Sequence, residues 1–156
     1  MENLAYYIFT SDLENAKLIL ANGADINMKY GDAEIYPICS AINSDNPETL
    51  RFIIKNGADV NIKNGLPLHE ALDLAIDGMI QNNLTQPYSD SIEMIKILLE
   101  NEADLEIEDE HNERPIDILH KYSGGQEEEL EKLKFLFRPI IPNIDVLLEK
   151  RNKINK

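Results

Sequence analysis

Apolar positions recur at helical spacing in pairs along this chain, and each pair ends in similar polar punctuation. Leu4, Ala5, Ile8 and Phe9 share one face of a first predicted helix. After Ser11-Asp12, residue types that cap helix starts, Leu13, Ala16, Leu18, Ile19 and Leu20 share a face of a second. It stops at Asn22-Gly23, where glycine can take the left-handed conformation that closes a helix. Pro37 suits the first turn of a third helix. A fourth, capped by Asp45 or Asn46, carries Leu50, Phe52, Ile53 and Ile54 and ends at Asn56-Gly57. The same opening returns at Leu66-Pro67-Leu68 and at Arg114-Pro115-Ile116.

The closing segments nearly repeat. Asn22–Asn27 and Asn56–Asn61 agree at five of six positions, thirty-four residues apart, and Asn101–Glu106 is a weaker third copy. A unit of about thirty-three residues cannot bury an apolar face by itself, so such units stack into a solenoid with one shared core. The spacing predicts units over 2–35, 36–65, 66–113 and 114–137 within a single domain, 1–149. Ile144, Val146, Leu147 and Leu148 predict a C-terminal capping helix over 143–150, followed by a basic tail, 151–156. Ile76–Ser91 adds about fifteen residues to the third unit relative to that period and reads as a helix extension followed by an irregular loop. Ser123-Gly124-Gly125 marks a flexible joint in the fourth unit.

Charge changes the picture more than composition does. Of 156 residues, twenty-nine are acidic and fifteen are Lys or Arg, a formal net charge of −14. Such a surface repels nucleic acid and anionic lipid and speeds encounter with basic proteins. Glu100–Glu113 holds eight acids and no Lys or Arg, so it reads as a negative finger for a basic partner, or as a solvated hairpin. It lacks the glycine spacing of a calcium loop. The one cysteine, Cys39, allows no internal disulfide and reads as a small core residue. No signal-peptide layout and no membrane-length apolar run is present, so a cytoplasmic protein, monomeric when free, is expected.

Leu66-Pro67-Leu68-His69-Glu70-Ala71, together with Gly23-Ala24-Asp25-Ile26-Asn27 and Gly57-Ala58-Asp59-Val60-Asn61, is similar to the ankyrin repeat. Its signature is Thr-Pro-Leu-His-x-Ala, then a helix pair, then Gly-Ala-Asp-x-Asn. The resemblance covers about residues 2–137 and implies an all-α ankyrin-repeat solenoid of about four helix-turn-helix repeats. Tyr36, Leu66 and Arg114 replace the family's Thr, and Cys39 replaces its His. The resemblance therefore leaves His69 as the one residue to tie adjacent turns. Glu102 replaces the closing glycine, at a cost of about 1 kcal/mol if it is still left-handed.

A family of this kind presents a concave surface to a protein. Carried over position by position, that surface takes Phe9, Tyr30, Asp32, Glu34, Asn43, Asp73, Glu108, Asp109, Glu110, Asn112 and Tyr122, with Tyr88 in the long loop as a second site. No phosphate loop, nucleophile–base pair or metal-ligand set emerges, so no enzyme, cofactor or metal is expected. The leading expectation is a non-enzymatic interaction module with an acidic concave face. By size and charge it resembles immunity or inhibitor proteins that neutralise a basic toxin or nuclease; the alternative is a general scaffold or adaptor.

Overall fold

The computed structural model describes residues 3–154, with side chains through Lys150. Met1, Glu2, Asn155 and Lys156 lie outside the described residues, as do the side chains of the predicted basic tail from Arg151 onward. The chain forms α1 (Leu4–Phe9), α2 (Leu13–Ala21), α3 (Pro37–Asn43), α4 (Pro47–Lys55), α5 (Ile62–Gln81), α6 (Ser89–Glu100), a 3-10 turn at Pro115–Asp117 that leads into α7 (Ile118–Ser123), α8 (Glu127–Phe137) and α9 (Ile144–Ile154). Among the described residues the one β-type pairing is the Tyr30–Ile35 bridge. The architecture is an all-α repeat solenoid.

Local chemistry sets the helix starts. Asn3 accepts from the Tyr6 N–H, Asp12 from the Asn15 N–H and Asn46 from the Glu48 N–H, each filling a backbone donor that the first turn leaves open. Pro37 and Pro47 sit in first turns, where no N–H is missed. The α2 and α4 ends carry Gly23 and Gly57 at φ +91° and +97°, and Glu102 takes the same role behind α6 at φ +67°. The third copy has thus kept the left-handed geometry and lost the residue that adopts it without strain.

Inner helices α1, α3, α5 and α7 stack in sequence, and outer helix α4 packs on α6. Ile38, Ile42, Leu50, Ile53, Leu68, Leu72, Ile76 and Ile95 are fully buried, so the core runs through the stack without a break between units. The inserted segment is helical first: α5 continues to Gln81, and an irregular stretch then leads to α6 with Pro87 buried and Asn83 left-handed. Phe137, Ile141, Ile144, Leu147 and Leu148 are buried at the far end, where α9 covers α8 and the Pro115 turn. α9 extends past residue 150, and the Lys150 ammonium is held 2.9 Å from Glu106.

The ties between units are not those the family resemblance implies. The His69 side chain makes no hydrogen bond among the described residues. Asparagine amides do the work instead. The Asp59 N–H donates to Asn27 Oδ1 at 2.8 Å, while Asn27 Nδ2 donates to the Gly57 carbonyl at 3.2 Å. One unit on, the Asp104 N–H donates to Asn61 Oδ1 at 2.8 Å and Asn61 Nδ2 donates to the Glu102 carbonyl at 3.0 Å. Each amide therefore satisfies a donor and an acceptor of the next closing loop at once, which an ionised carboxylate, having no donor, cannot do.

In the fourth unit the tie is ionic. Asp117 accepts from the Arg114 backbone N–H (2.9 Å), from Nε (3.1 Å) and from Nη2 (2.8 Å), and the same guanidinium donates to the Leu147 carbonyl at 3.0 Å. Arg114 is only 7% exposed, and Asp117 is buried beside it.

Candidate functional site

The turns that link successive units differ in length. Nine residues separate Asn27 from Pro37, five separate Asn61 from Pro67, and eight separate Glu106 from Pro115. The first and third turns are long enough to project as fingers. The first closes through the paired Tyr30 and Ile35 backbones, at 2.9 and 3.1 Å. The third closes through the Asp109 N–H to the Glu113 carbonyl at 3.0 Å. The second is a tight turn at the kinked start of α5, where Lys63, Asn64 and Gly65 are all left-handed and the regular helix begins only after them.

A cleft of about 510 Å³ lies between the two fingers and takes the short turn as part of its lining. Ile35 and Tyr36 come from the first finger, Lys63 and Leu66 from the short turn, and Glu113 and Pro115 from the third finger. Cys39 on α3, His69 and Glu70 on α5, and Lys121 on α7 are the inner-helix contributors.

The cleft is not the acidic face expected from the sequence. Five carboxylates (Glu34, Glu70, Asp109, Glu110 and Glu113) share it with four cations (Lys29, Lys63, Arg114 and Lys121). Several of these are already committed: Lys121 to Glu113 at 2.7 Å, Lys29 to Glu34 at 3.8 Å, and Arg114 to Asp117. Most of the excess negative charge therefore lies outside the cleft, because net charge counts residues and says nothing of where the lysines fold.

Glu70 is the exception within the cleft. Its Oε2 is buried and has no hydrogen-bond partner. Burial pushes its carboxyl above the usual carboxylate range, against the opposing influence of the Cys39 thiol, the His69 ring and the Asn43 amide. Burial likewise drives the Cys39 thiol far up, with Glu70 adding to the effect, so this sulfur is a neutral packing group and not a nucleophile.

A carboxyl whose folded-state pKa is raised lowers stability as pH climbs from the ordinary carboxylate range through the folded-state value, and the penalty is full above it. Glu70→Gln is accordingly expected to stabilise the protein by about 1 kcal/mol near pH 7. The gain should disappear at a pH low enough to protonate Glu70 in both states. Urea unfolding of both proteins at the two pH values checks this, and a variant less stable at pH 7 would contradict it.

The positions inferred from sequence are scattered. Glu34, Asp109 and Glu110 line the cleft, and Asp32 is exposed on the first finger. The Tyr30 hydroxyl donates to the Asp25 carbonyl at 2.7 Å, which braces the finger and takes the hydroxyl away from a partner. Asp109 accepts from the His111 and Glu113 N–H groups at 2.8 and 3.0 Å, which holds its carboxyl below its ordinary range. It shapes the third finger, whereas Glu108 and Glu110 stand exposed beside it and Asn112 supplies the left-handed turn residue.

Asp73 on α5 accepts from the Tyr122 hydroxyl on α7 at 2.8 Å, joining two inner helices, and burial and that carboxylate push the phenol well up. Asn43 donates to the Cys39 carbonyl at 2.8 Å. Phe9, 54% exposed, and Tyr88, 49% exposed, do not line the cleft; a Cβ on Gly78 would lie 3.8 Å from the Tyr88 ring. Sequence reasoning passed over Glu70 and gave His69 only a structural role. The signal that could have found them was the short second turn, which opens the view to the residues just after Pro67.

Among the described residues no group of three or more His, Cys, Asp and Glu is placed to hold a metal ion, and no helix is long and apolar enough to cross a membrane. The ankyrin repeat family model matches residues 35–65. No curated protein matches the chain. Among solved structures, the ankyrin repeat domain of Bcl-3, described as a unique member of the IkappaB protein family, is similar with a TM-score of 0.53 at 21% identity. That match covers 72% of this chain and 44% of the other, so this chain spans less than half the length of the one it resembles. At that identity the likeness is one of fold.

Proposed function

We propose that this chain, which carries an ankyrin repeat and folds as an ankyrin-repeat solenoid, is a non-enzymatic module that binds another protein through the cleft between its first and third fingers. The observation that carries this reading is the cleft itself: a concavity lined by both apolar and charged side chains, of a size within the usual ~300–1,000 Å³ range of binding pockets. Ankyrin repeats are protein-interaction modules, and the fingers and inner helices are the elements that such a solenoid turns toward a partner.

The formal charge of −14 and the exposed Glu108 and Glu110 support a partner with a basic surface. An inhibitor or immunity role against a basic toxin or nuclease is the finer form of the reading, supported by the small size and charge. The alternative is a general adaptor, which the near balance of charge inside the cleft favours. A single buried cysteine suits a reducing, cytoplasmic setting.

The test is kinetic. Glu108→Lys with Glu110→Lys leaves Asp109 in place to hold the finger, so the fold is kept while the charge of the rim is reversed. With the partner recovered from the native host, the association rate is expected to fall about tenfold or more in the double variant and to fall with rising salt in the parent. Rates that ignore both changes would remove the basic-partner reading.

A further inference from the structure

We infer that the floor of the cleft is a socket for one lysine or arginine side chain of the protein partner, with Glu70 as the group that receives its charge. The inference rests on the cleft being the binding surface proposed above.

Glu70 Oε2 is the buried carboxylate oxygen without a partner among the described residues. Other carboxylates around it are in use: Glu113 by Lys121, Asp117 by Arg114, Asp109 by two backbone amides, and Asp73 by Tyr122. The cations at the rim are occupied in the same way, apart from Lys63, which makes no ion pair among the described residues and projects from the tight second turn. The imidazole of His69, beside Glu70 in the cleft lining, is also without a hydrogen bond. The Glu70 carboxylate, with one oxygen unpartnered, and the His69 imidazole thus line a cleft in which the neighbouring charges, Lys63 apart, are matched.

Folding has already shielded one oxygen of the half-buried Glu70, so a cation that meets the carboxylate from the cleft side gains the ionic contact without stripping water from a fully exposed carboxylate. Arginine or lysine also supplies what the walls want. Ile35, Tyr36, Leu66 and Pro115 offer apolar surface for the aliphatic stem, while the charged head reaches the floor. An acidic or phosphorylated segment would find only Lys63 unpaired among the cleft's cations and would meet Glu70, Asp109 and Glu110 beside it. A metal ion finds too few donors there.

The probe is the peptide Ac-Ala-Arg-Ala-NH2, with its citrulline counterpart as the uncharged isostere, titrated into the 15N-labelled full chain. Saturable shifts are expected at the amides of Tyr36, Cys39 and Leu66–Ala71 with the arginine peptide. Affinity should weaken by at least about tenfold for the citrulline peptide and for Glu70→Gln with the arginine peptide, the usual scale of one charge-assisted contact. The unperturbed remainder of the Glu70→Gln spectrum shows that the variant is folded. No saturable shift, shifts on another face, equal binding of the citrulline peptide, or equal binding by Glu70→Gln would each overturn the socket. If the peptide fails while Glu108→Lys with Glu110→Lys still slows association with the native partner, the anchor is wrong and the binding surface stands.

Discussion

Asp117→Ala is expected to cost about 3–5 kcal/mol, enough to unfold a marginal domain at its growth temperature. The substitution removes the three hydrogen bonds that Arg114 donates to Asp117 and leaves a guanidinium, on a residue 7% exposed, without its main counter-charge. The remaining partners cannot replace it: Glu106 stands 3.6 Å from Nη1, and the Leu147 carbonyl is neutral. Asp117→Asn keeps the shape and still fails to neutralise Arg114, so it should lose most of the same amount. The double variant Asp117→Ala with Arg114→Met should recover much of it, because a buried ion pair exchanged for apolar packing is often close to neutral. Urea midpoints for the three proteins decide the matter. Because Arg114 also holds the α9 backbone, amide exchange in α9 should rise first in Asp117→Ala. A loss below about 1 kcal/mol would mean that water reaches the guanidinium and that the pair is no more than a surface contact.

This pair also shows where sequence reading stops. Arg114 and Asp117 occupy the positions of the family's Thr and His, so a reader of the motif sees two losses. The structure shows one substitution of function, a hydroxyl–imidazole tie exchanged for an ionic one. The closing segments behave in the same way. Their helix-ending role was legible, since Gly23 and Gly57 are left-handed where the chain needs it. That Asn27 and Asn61 staple the next unit was not, because their partners lie 30 to 43 residues away and local periodicity carries no information about such pairs.

The repeat architecture was readable because each helix pair states its own apolar face. The cleft was not, because it arises from a difference between turns. Attention to what repeats hid the one turn that is short. Tyr30 and Tyr122 looked like binding aromatics for want of a view of Asp25 and Asp73, to which their hydroxyls are committed. The acidic total pointed to an acidic face, and folding brought four cations into that very place.

The short turn makes the second large prediction. Gly65→Ala is expected to destabilise the protein by about 2–5 kcal/mol, the sum of a left-handed alanine and an overpacked contact. Gly65 sits at φ +87°, and a Cβ there would come within 2.7 Å of Ile107 Cγ2 and 2.8 Å of Pro115 Cγ. Neither atom belongs to a side chain that can swing clear: Pro115 is a buried ring at the start of a helical turn, and Ile107 is β-branched. Gly57→Ala is the internal control, since φ there is +97° and no atom lies within 4 Å of the added carbon. It carries the backbone cost of about 1–2 kcal/mol alone. The difference between the two variants therefore measures how tightly the third finger is seated on the second turn. A difference of about 1–3 kcal/mol would mean that the cleft wall is rigid, as a preformed socket for a side chain requires. Equal losses would mean that the third finger moves aside without cost, and the cleft would then have to be shaped by its partner.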